Sequence, residues 1–251
     1  MSFENKVVIV TGSSSGIGAS TAIEFAKEGA HVVLVGRNEA KLKNVSQQCE
    51  KVGKKPLIVK ADVSNDDDAK IIINKTIENF GKLDVLVNNA GMGVAHDILK
   101  DDFMKTYDRI MITNLRAPVY ITHLASPYLI KSKGNIINVS SIAGISTLEL
   151  EDSIPYSISK AGLSHFSRNI ALKLAPYGIR VNVVSPGPVY TDILANSSFD
   201  EALFEQFKLR TALKRVSEPK EIADLILFLA SDKAKGITGS DFVSDNGRLL
   251  M

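Results

Sequence analysis

Tyr156 and Lys160 stand four apart in Tyr-Ser-Ile-Ser-Lys, a spacing that puts both on one face of a helix. A tyrosine hydroxyl ionises near pH ~10 in isolation. An ammonium group close by favours the phenolate and lowers that value. A tyrosine tuned in this way can exchange a proton with an alcohol or carbonyl oxygen near neutral pH. Many helices hold a Tyr-x-x-x-Lys with no such role, so the pair gains weight only from what precedes it. Ser140 and Ser141 close the apolar run Ile-Ile-Asn-Val-Ser-Ser and offer hydroxyls at the end of a strand. Asn114 lies within the apolar helical stretch Met111–Leu115. An amide buried there must find partners. It could bend the helix and hold a water, or be a satisfied core residue.

Further upstream, Thr11–Gly18 reads Thr-Gly-Ser-Ser-Ser-Gly-Ile-Gly, between the apolar run Val7–Val10 and a segment with helical periodicity. Strand, glycine-rich turn and helix form the setting in which such glycines carry meaning. Gly12 permits a tight turn, Gly16 removes a side chain where backbone approaches a ligand, and Gly18 lets the new helix pack closely on the sheet. The free N–H groups of that helix start favour an anion such as a pyrophosphate. The spacing is G-x-x-x-G-x-G, and no Lys-Ser or Lys-Thr follows, which excludes a phosphate-binding P-loop. Asn88-Asn89-Ala90-Gly91 follows a later apolar run, where small polar residues would let a strand end lie beside the same ligand.

Strand-like and helix-like segments alternate to carry these residues. Strands are expected at Val7–Val10, His31–Val35, Leu57–Val59, Val85–Val87, Ile136–Val139, Val181–Val184 and Phe242–Ser244. Helices are expected at Gly16–Glu28, Glu39–Val52, Asp66–Phe80, Asp101–Ile130, Tyr156–Ala175 and Pro219–Ala230. Pro118 and Pro127 are expected to bend or interrupt the longest of these. The strands are short, β-branched and apolar on both faces, the signature of a parallel sheet covered on two sides. The predicted fold class is α/β: a single-domain doubly wound parallel sheet over residues 1–251, about seven strands with helices on both faces.

Bulk properties narrow the function. With 251 residues, 45% of them hydrophobic, the chain can bury one large core. The net charge of +2 comes from interspersed acids and bases, which gives no nucleic-acid footprint. The one cysteine, Cys49, allows neither an internal disulfide nor a cysteine metal cluster. No metal site is expected, and a reducing, cytoplasmic location is. No apolar run reaches the roughly 18 residues of a membrane span, and the N-terminus has no signal-peptide pattern.

Nucleotide choice follows from the second strand. Dinucleotide folds place an acid about 20 residues past the glycines to hold the adenosine ribose. Here the strand ends Val35-Gly36-Arg37-Asn38, with a small residue and a base in its place. A guanidinium there can pair with a 2′-phosphate, which predicts NADP(H) over NAD(H). Asp62, after the third strand, is a candidate partner for the adenine amino group or a simple helix-start acid.

Taken in order, these features resemble the short-chain dehydrogenase/reductase family over essentially the whole chain. Thr11–Gly18 matches its TGxxxGxG motif and Asn88–Gly91 its NNAG motif. Asn114, Ser141, Tyr156 and Lys160 match its catalytic tetrad, Ser-Ile-Ala-Gly aligning Ser141 rather than Ser140. Pro186-Gly187 matches the motif flanking the nicotinamide, and Thr191 the residue that binds its carboxamide. The resemblance implies a Rossmann fold and cofactor contacts from Gly12, Ser14, Ser15, Gly16, Ile17 and Gly18. It adds Arg37, Asp62, Val63, Asn89, Ala90, Gly91, Tyr156, Lys160, Pro186, Gly187, Val189 and Thr191. It further implies that Tyr156 exchanges the proton and Ser141 holds the substrate oxygen. Lys160 would bind the nicotinamide ribose and lower the tyrosine pKa, and Asn114 would support a proton-relaying water.

The implied activity is NADP(H)-dependent interconversion of a carbonyl and a secondary alcohol. An apolar steroid-, retinoid- or lipid-like substrate is expected near Met92–Val94, Ile145–Leu150 and the segment after Thr191. There Phe199, Leu203, Phe204 and Phe207 recur at helical spacing, as a lid or as an ordinary surface helix. A 3-oxoacyl-thioester reductase is the alternative, disfavoured by Glu149, Glu151 and Asp152 in the loop between Ser141 and Tyr156. A non-catalytic dinucleotide sensor on the same fold is the alternative of another class; the complete Asn-Ser-Tyr-Lys set argues against it. Near the C-terminus Ser244-Asp245-Asn246-Gly247 departs from the family's Asp-Gly-Gly. The resemblance also implies a homotetramer, joined through Asp101–Ile130, Tyr156–Ala175 and the C-terminal strand, with Leu249–Met251 suited to burial there.

Overall fold

The computed structural model describes residues 2–93, 95–147, 153–191 and 201–251, residues 201–204 through their backbone. Seven strands form one sheet: β1 (Val7–Thr11), β2 (His31–Gly36), β3 (Leu57–Lys60), β4 (Val85–Asn88), β5 (Asn135–Val139), β6 (Arg180–Pro186) and β7 (Asp241–Ser244). Their order is β3-β2-β1-β4-β5-β6-β7. Every pairing is parallel. The chain winds from β1 outward to β3, then returns to β4 and winds the other way. The crevice above the carboxyl ends of β1 and β4 is therefore the switch point where such sheets bind ligands.

Alternation along the strands splits the core into two layers. Val8 and Val10 of β1 pack with Phe25, Leu42, Ile222 and Ile226 on one side. Val7 and Ile9 pack with Ile72, Ile121, Leu129 and Leu174 on the other. The first layer is covered by α1 (Gly16–Lys27), α2 (Glu39–Glu50) and the helix Pro219–Ala230 near the C-terminus. The second lies under α3 (Asp66–Phe80), α5 (Ala117–Ser132) and α6 (Ile154–Leu174). Burying each large aliphatic side chain contributes about 1.5–3 kcal/mol. The doubly wound parallel sheet expected from the sequence is the fold the chain adopts.

Local chemistry sets the helix ends. The Asn65 side chain accepts from the Asp67 and Asp68 amides, and Asp66–Asp68 crowd the first turn of α3, where the helix dipole favours acids. Gly81 closes α3 at φ 70°, a conformation that suits glycine.

The long helix expected at Asp101–Ile130 differs in its break. It begins as α4 (Phe103–Met111), passes through a π-helical segment at Ile112–Arg116, and continues as α5 to Ser132. Pro118 sits in the first turn of α5, where its missing N–H costs little, and Pro127 lies inside α5. The interruption is therefore centred on Asn114, not on either proline. The remaining helices are α7 (Glu201–Leu209) and α8 (Pro219–Ala230).

Candidate active site

At the carboxyl edge of the sheet, hydrogen bonds lace β1 to β4. The Thr11 hydroxyl accepts from the Asn89 and Ala90 amides, each at 3.0 Å, and donates to the Val87 carbonyl. The Asn89 side-chain Nδ2 donates to the Thr11 carbonyl at 2.9 Å and to that of Gly12 at 3.3 Å. Asn88 turns the other way, donating to Asn138 and Thr122. The Asn-Asn-Ala-Gly stretch thus holds the floor of the crevice rigid.

Gly12 has φ 66°, and a Cβ there would stand 2.8 Å from the Ala90 Cα. The expectation of a tight turn holds, with a close approach to β4 besides. Gly16 has φ 54°, and its Cβ would press to 2.9 Å on the Thr191 methyl. Thr191 therefore reaches across the crevice to the glycine turn. Gly18 has a reason beyond packing on the sheet: a Cβ would lie 2.3 Å from the Gly12 carbonyl oxygen and 2.5 Å from the Asn89 amide nitrogen.

Ser13 is committed to the Val35 backbone. The Ser14 and Ser15 hydroxyls have no partner among the described residues. Ser15 occupies the N-cap of α1 without a side-chain cap, which leaves the first-turn amides open. An uncapped helix start beside partnerless hydroxyls fits the pyrophosphate of a dinucleotide. Ile17 is partly buried and packs against the core. On the far side, Val189 is buried and pairs with Ser217. Gly187 stands so close to Asp245 that a Cβ would meet it at 2.7 Å. Pro186 ends β6, and the Gly187 amide donates to the Ser244 carbonyl. In the unusual Ser-Asp-Asn-Gly turn, the Asp245 carboxylate accepts from the Gly247 and Leu249 amides.

The tetrad residues converge on the same edge. The Ser141 hydroxyl lies near the Tyr156 hydroxyl, where it favours the ionised phenol. Ser141 also caps the short 3-10 turn Ile142–Gly144, accepting from the Ala143 amide at 3.1 Å. Lys160 Nζ stands 5.6 Å from the centre of the Tyr156 ring and donates to the Val139 carbonyl at 2.9 Å. Asn114 is fully buried, and each of its polar atoms is used. Its Oδ1 accepts from the Met92 amide at 2.9 Å; its Nδ2 donates to the Met92 carbonyl at 2.8 Å and to Ser159 Oγ at 3.1 Å. Gly91 fits between, a Cβ there lying 3.4 Å from Lys160 Nζ and 3.5 Å from Asn114 Oδ1.

Ser159 escaped the sequence reading, and Gly93 entered it only within the substrate-side range Met92–Val94. Ser159 receives the Asn114 amide and donates to the Tyr156 carbonyl at 2.7 Å, joining two tetrad members. Gly93 lies against the Tyr156 ring, a Cβ there standing 3.8 Å from it. The signal for Ser159 was a hydroxyl three residues beyond the tyrosine, which in a helix can bond back to its carbonyl.

The electrostatics correct one expectation. Burial raises the Tyr156 hydroxyl above its ordinary pKa, with the Ser141 hydroxyl working the other way. Burial also pulls Lys160 down to about 8. In the cofactor-free protein the tyrosine therefore stays above its ordinary value, because desolvation of the phenolate prevails; Lys160 Nζ, 5.6 Å from the ring centre, is engaged by the Val139 carbonyl.

Beyond the carboxyl ends of β2 and β3, Arg37 Nη1 stands 3.6 Å from Asp62 Oδ2. Asp62 Oδ1 accepts from the Ser64 amide and hydroxyl at 3.0 and 2.7 Å. Burial disfavours the Asp62 carboxylate, but the Ser64 bonds and the guanidinium prevail and keep its pKa below the usual range. Val63 beside it is buried. Asp62 thus serves the start of α3 and faces Arg37 at once.

Val94 and the segments 148–152 and 192–200 lie outside the described residues, and with them Glu149, Glu151, Asp152 and Phe199. In the remainder of the expected lid, Phe207 on α7 is buried. Among the described residues no helix is long and apolar enough to cross a membrane, and no group of His, Cys, Asp or Glu could hold a metal ion.

Known proteins share both the sequence pattern and the fold. A family model described as enoyl-(acyl carrier protein) reductase matches residues 12–248. An uncharacterised oxidoreductase of Thermotoga maritima is 36% identical, over 98% of each chain. A 3-oxoacyl-[acyl-carrier-protein] reductase of the same organism is 34% identical over 100% of both. The crystal structure of a Caenorhabditis elegans short-chain dehydrogenase/reductase of unknown function, solved with cofactor, superposes with a TM-score of 0.94 at 38% identity, covering 100% of this chain and 97% of that one. The chain belongs to the short-chain dehydrogenase/reductase family of oxidoreductases, enzymes that act on CH–OH groups with a nicotinamide dinucleotide.

Proposed function

We propose that the protein is an NADP(H)-dependent oxidoreductase interconverting a ketone and a secondary alcohol. The observation that carries this reading is the convergence of Ser141, Tyr156 and Lys160, with Lys160 Nζ 5.6 Å from the centre of the tyrosine ring, at the open end of the sheet. A bound nicotinamide dinucleotide supplies or accepts the hydride at the substrate carbon. Ser141 and Tyr156 bind the substrate oxygen. In reduction, Tyr156 gives that oxygen its hydroxyl proton; in oxidation it takes the proton back. Lys160 holds the cofactor ribose and stabilises the phenolate left after proton transfer. Asn114 fixes the Met92–Gly93 backbone beneath the tyrosine and supports the water that restores its proton through Lys160.

Cofactor contacts are assigned to Gly12 and Ser14–Gly18, to Arg37, Asp62 and Val63, to Asn89–Gly91, to Tyr156 and Lys160, and to Pro186, Gly187, Val189 and Thr191. Arg37 pairs with the 2′-phosphate, since Gly36 and Arg37 occupy the place of a ribose-binding acid. An apolar carbonyl is the favoured substrate. The exposed Ile145 and Ile154 at either end of the Ser141–Tyr156 loop support it. The alternative of a 3-oxoacyl-thioester reductase draws support from the Thermotoga maritima relative of that name. A dinucleotide sensor is disfavoured, because a sensor has no use for a proton donor.

We further propose a single-domain, cytoplasmic homotetramer. Exposed apolar residues on α4, the π segment and α6, among them Met104, Ile112, Ile158 and Leu172, support the helical contact. Leu250 and Met251, also exposed, support the contact beside β7. Light scattering tests the assembly; a monomeric mass would overturn it. The activity is tested by following NADPH and NADH absorbance across ketones, steroids, retinals and 3-oxoacyl thioesters. Turnover of a ketone with NADPH is expected, and cofactor binding with no turnover on the whole panel would favour the sensor.

A further inference from the structure

Three consecutive residues at the end of β5 grip the catalytic helix α6. The Val139 carbonyl takes the Lys160 ammonium at 2.9 Å, and Ser141 lies near the Tyr156 hydroxyl. Between them Ser140, 3% exposed, turns into the protein and donates to the main-chain carbonyl of Lys160 at 2.9 Å. Lys160 is thus held at both ends by neighbouring residues of one strand. The helix comes so close here that a Cβ on Gly144 would stand 2.7 Å from the Lys160 carbonyl carbon and the Ala161 nitrogen.

Ser140 does not stand alone. Ser164, one turn further along α6 and 4% exposed, lies 3.0 Å from Ser140 Oγ and 3.0 Å from the Asp241 carboxylate at the start of β7. The second carboxylate oxygen of Asp241 accepts from Ser185 of β6 at 2.6 Å. A charged acceptor makes each hydroxyl bond stronger than a neutral pair. With one hydroxyl proton, Ser164 has Ser140 Oγ and the Asp241 carboxylate as alternative acceptors, while Ser185 gives its own to Asp241, so three buried hydroxyls and a carboxylate fix one another's geometry. None of these four side chains belongs to the reacting set.

We propose that Ser140, anchored through Ser164 to Asp241, is a positioning residue that sets the place of Lys160 relative to the Tyr156 hydroxyl and the cofactor. This rests on the reading that Lys160 serves the reaction. With the anchor in place, α6 keeps one distance from the end of β5, and Lys160 Nζ reaches the crevice from a fixed root. Without it, the helix retains its apolar packing but can shift along the strand end, and misplacement on the scale of an ångström is costly in rate.

Four variants test the proposal: Ser140→Ala, Ser140→Thr, Ser164→Ala and Asp241→Asn, with Lys160→Ala as the control for the site. Ser140→Ala should lower kcat on the order of ten-fold while the KM for the carbonyl substrate stays within about two-fold. Ser140→Thr, which keeps the hydroxyl, should restore most of that loss. Ser164→Ala and Asp241→Asn should lower kcat several-fold, and neither should add fully to Ser140→Ala in double mutants. Wild-type kcat in Ser140→Ala would overturn the positioning role, provided that Lys160→Ala is impaired. Full additivity would overturn the anchoring chain. Undiminished turnover in Lys160→Ala would overturn the reading of the site and the inference with it. Should Ser140→Ala fail to fold by circular dichroism, the surface-reaching Asp241→Asn and the small-to-small Ser164→Ala decide the matter: reduced kcat supports the proposal and full kcat overturns it.

Discussion

Replacing Lys160 with methionine is expected to stabilise the cofactor-free protein at neutral pH while removing its activity. Burial draws the Lys160 pKa to about 8 from an ordinary 10.5. At about 1.36 kcal/mol per pKa unit, the folded protein carries roughly 3 kcal/mol of penalty on the charged form. Methionine fills a similar volume without the charge, but forfeits the Nζ bond to the Val139 carbonyl, worth about 1 kcal/mol. The net gain is then about 2 kcal/mol, or a rise in Tm of about 4–8 °C for a chain of this length. The sign follows from proton counts. Between about pH 8 and the unfolded value near ~10.4, the unfolded chain binds more protons at this site than the folded one, so wild-type stability rises with pH there. The advantage of Lys160→Met is therefore full below about pH 8, falls through zero as pH rises, and by about pH 10.5 leaves the variant less stable by the roughly 1 kcal/mol of the lost Val139 bond. Thermal or urea unfolding of both proteins, without cofactor, from about pH 7 to about pH 10.5 measures this. A Lys160→Met protein less stable than wild type at pH 7, or a difference that does not change with pH, would refute the reasoning. The expected pattern is a stability–activity trade-off lodged in one side chain.

Other outcomes follow from the same geometry. Asn114→Ala strands the Met92 amide and carbonyl and removes the bond to Ser159, so urea unfolding should report a loss of about 2–3 kcal/mol, together with reduced kcat. Asp84 is buried, yet bonds from the Val7 amide, Lys82 and Lys6 hold its pKa below the usual range. Its contribution is present above the ordinary carboxylate pKa of ~3.9 and lost as pH falls through the lower folded value. Acid unfolding of Asp84→Asn should accordingly be less steep below about pH 4 than that of wild type. Arg37→Ala should raise the KM for NADPH about ten-fold or more and leave that for NADH little changed; equal effects on both would remove Arg37 from cofactor selection.

The sequence carried the layout of the site well because its signals are local. The glycine turn after β1, the hydroxyls after β5 and the Tyr-x-x-x-Lys at the head of α6 each lie next to the element that positions them. The long-range consequences were not legible. A break at Asn114 could be read from an amide in an apolar helix face, but nothing in its spacing says that the amide would clamp Met92, 22 residues away, whereas Pro118 and Pro127 gave an obvious and misleading cue. Ser140 and Ser141 look alike in sequence; only the path of α6 past β5 turns one toward Lys160 and the other toward Tyr156. The tyrosine pKa went astray because helical spacing fixes which face two residues share but not how deeply that face is buried. Asp241 and Ser164 are 77 residues apart, and no periodicity connects them.

The most direct test of the central assignment is turnover by Tyr156→Phe beside wild type, on any carbonyl that wild type reduces, with NADPH binding measured in both by fluorescence titration. General acid–base catalysis contributes on the order of 10²- to 10⁴-fold, so the variant should lose turnover on that scale while binding NADPH with nearly unchanged affinity. Turnover within a few-fold of wild type would contradict the role of Tyr156 as the proton donor.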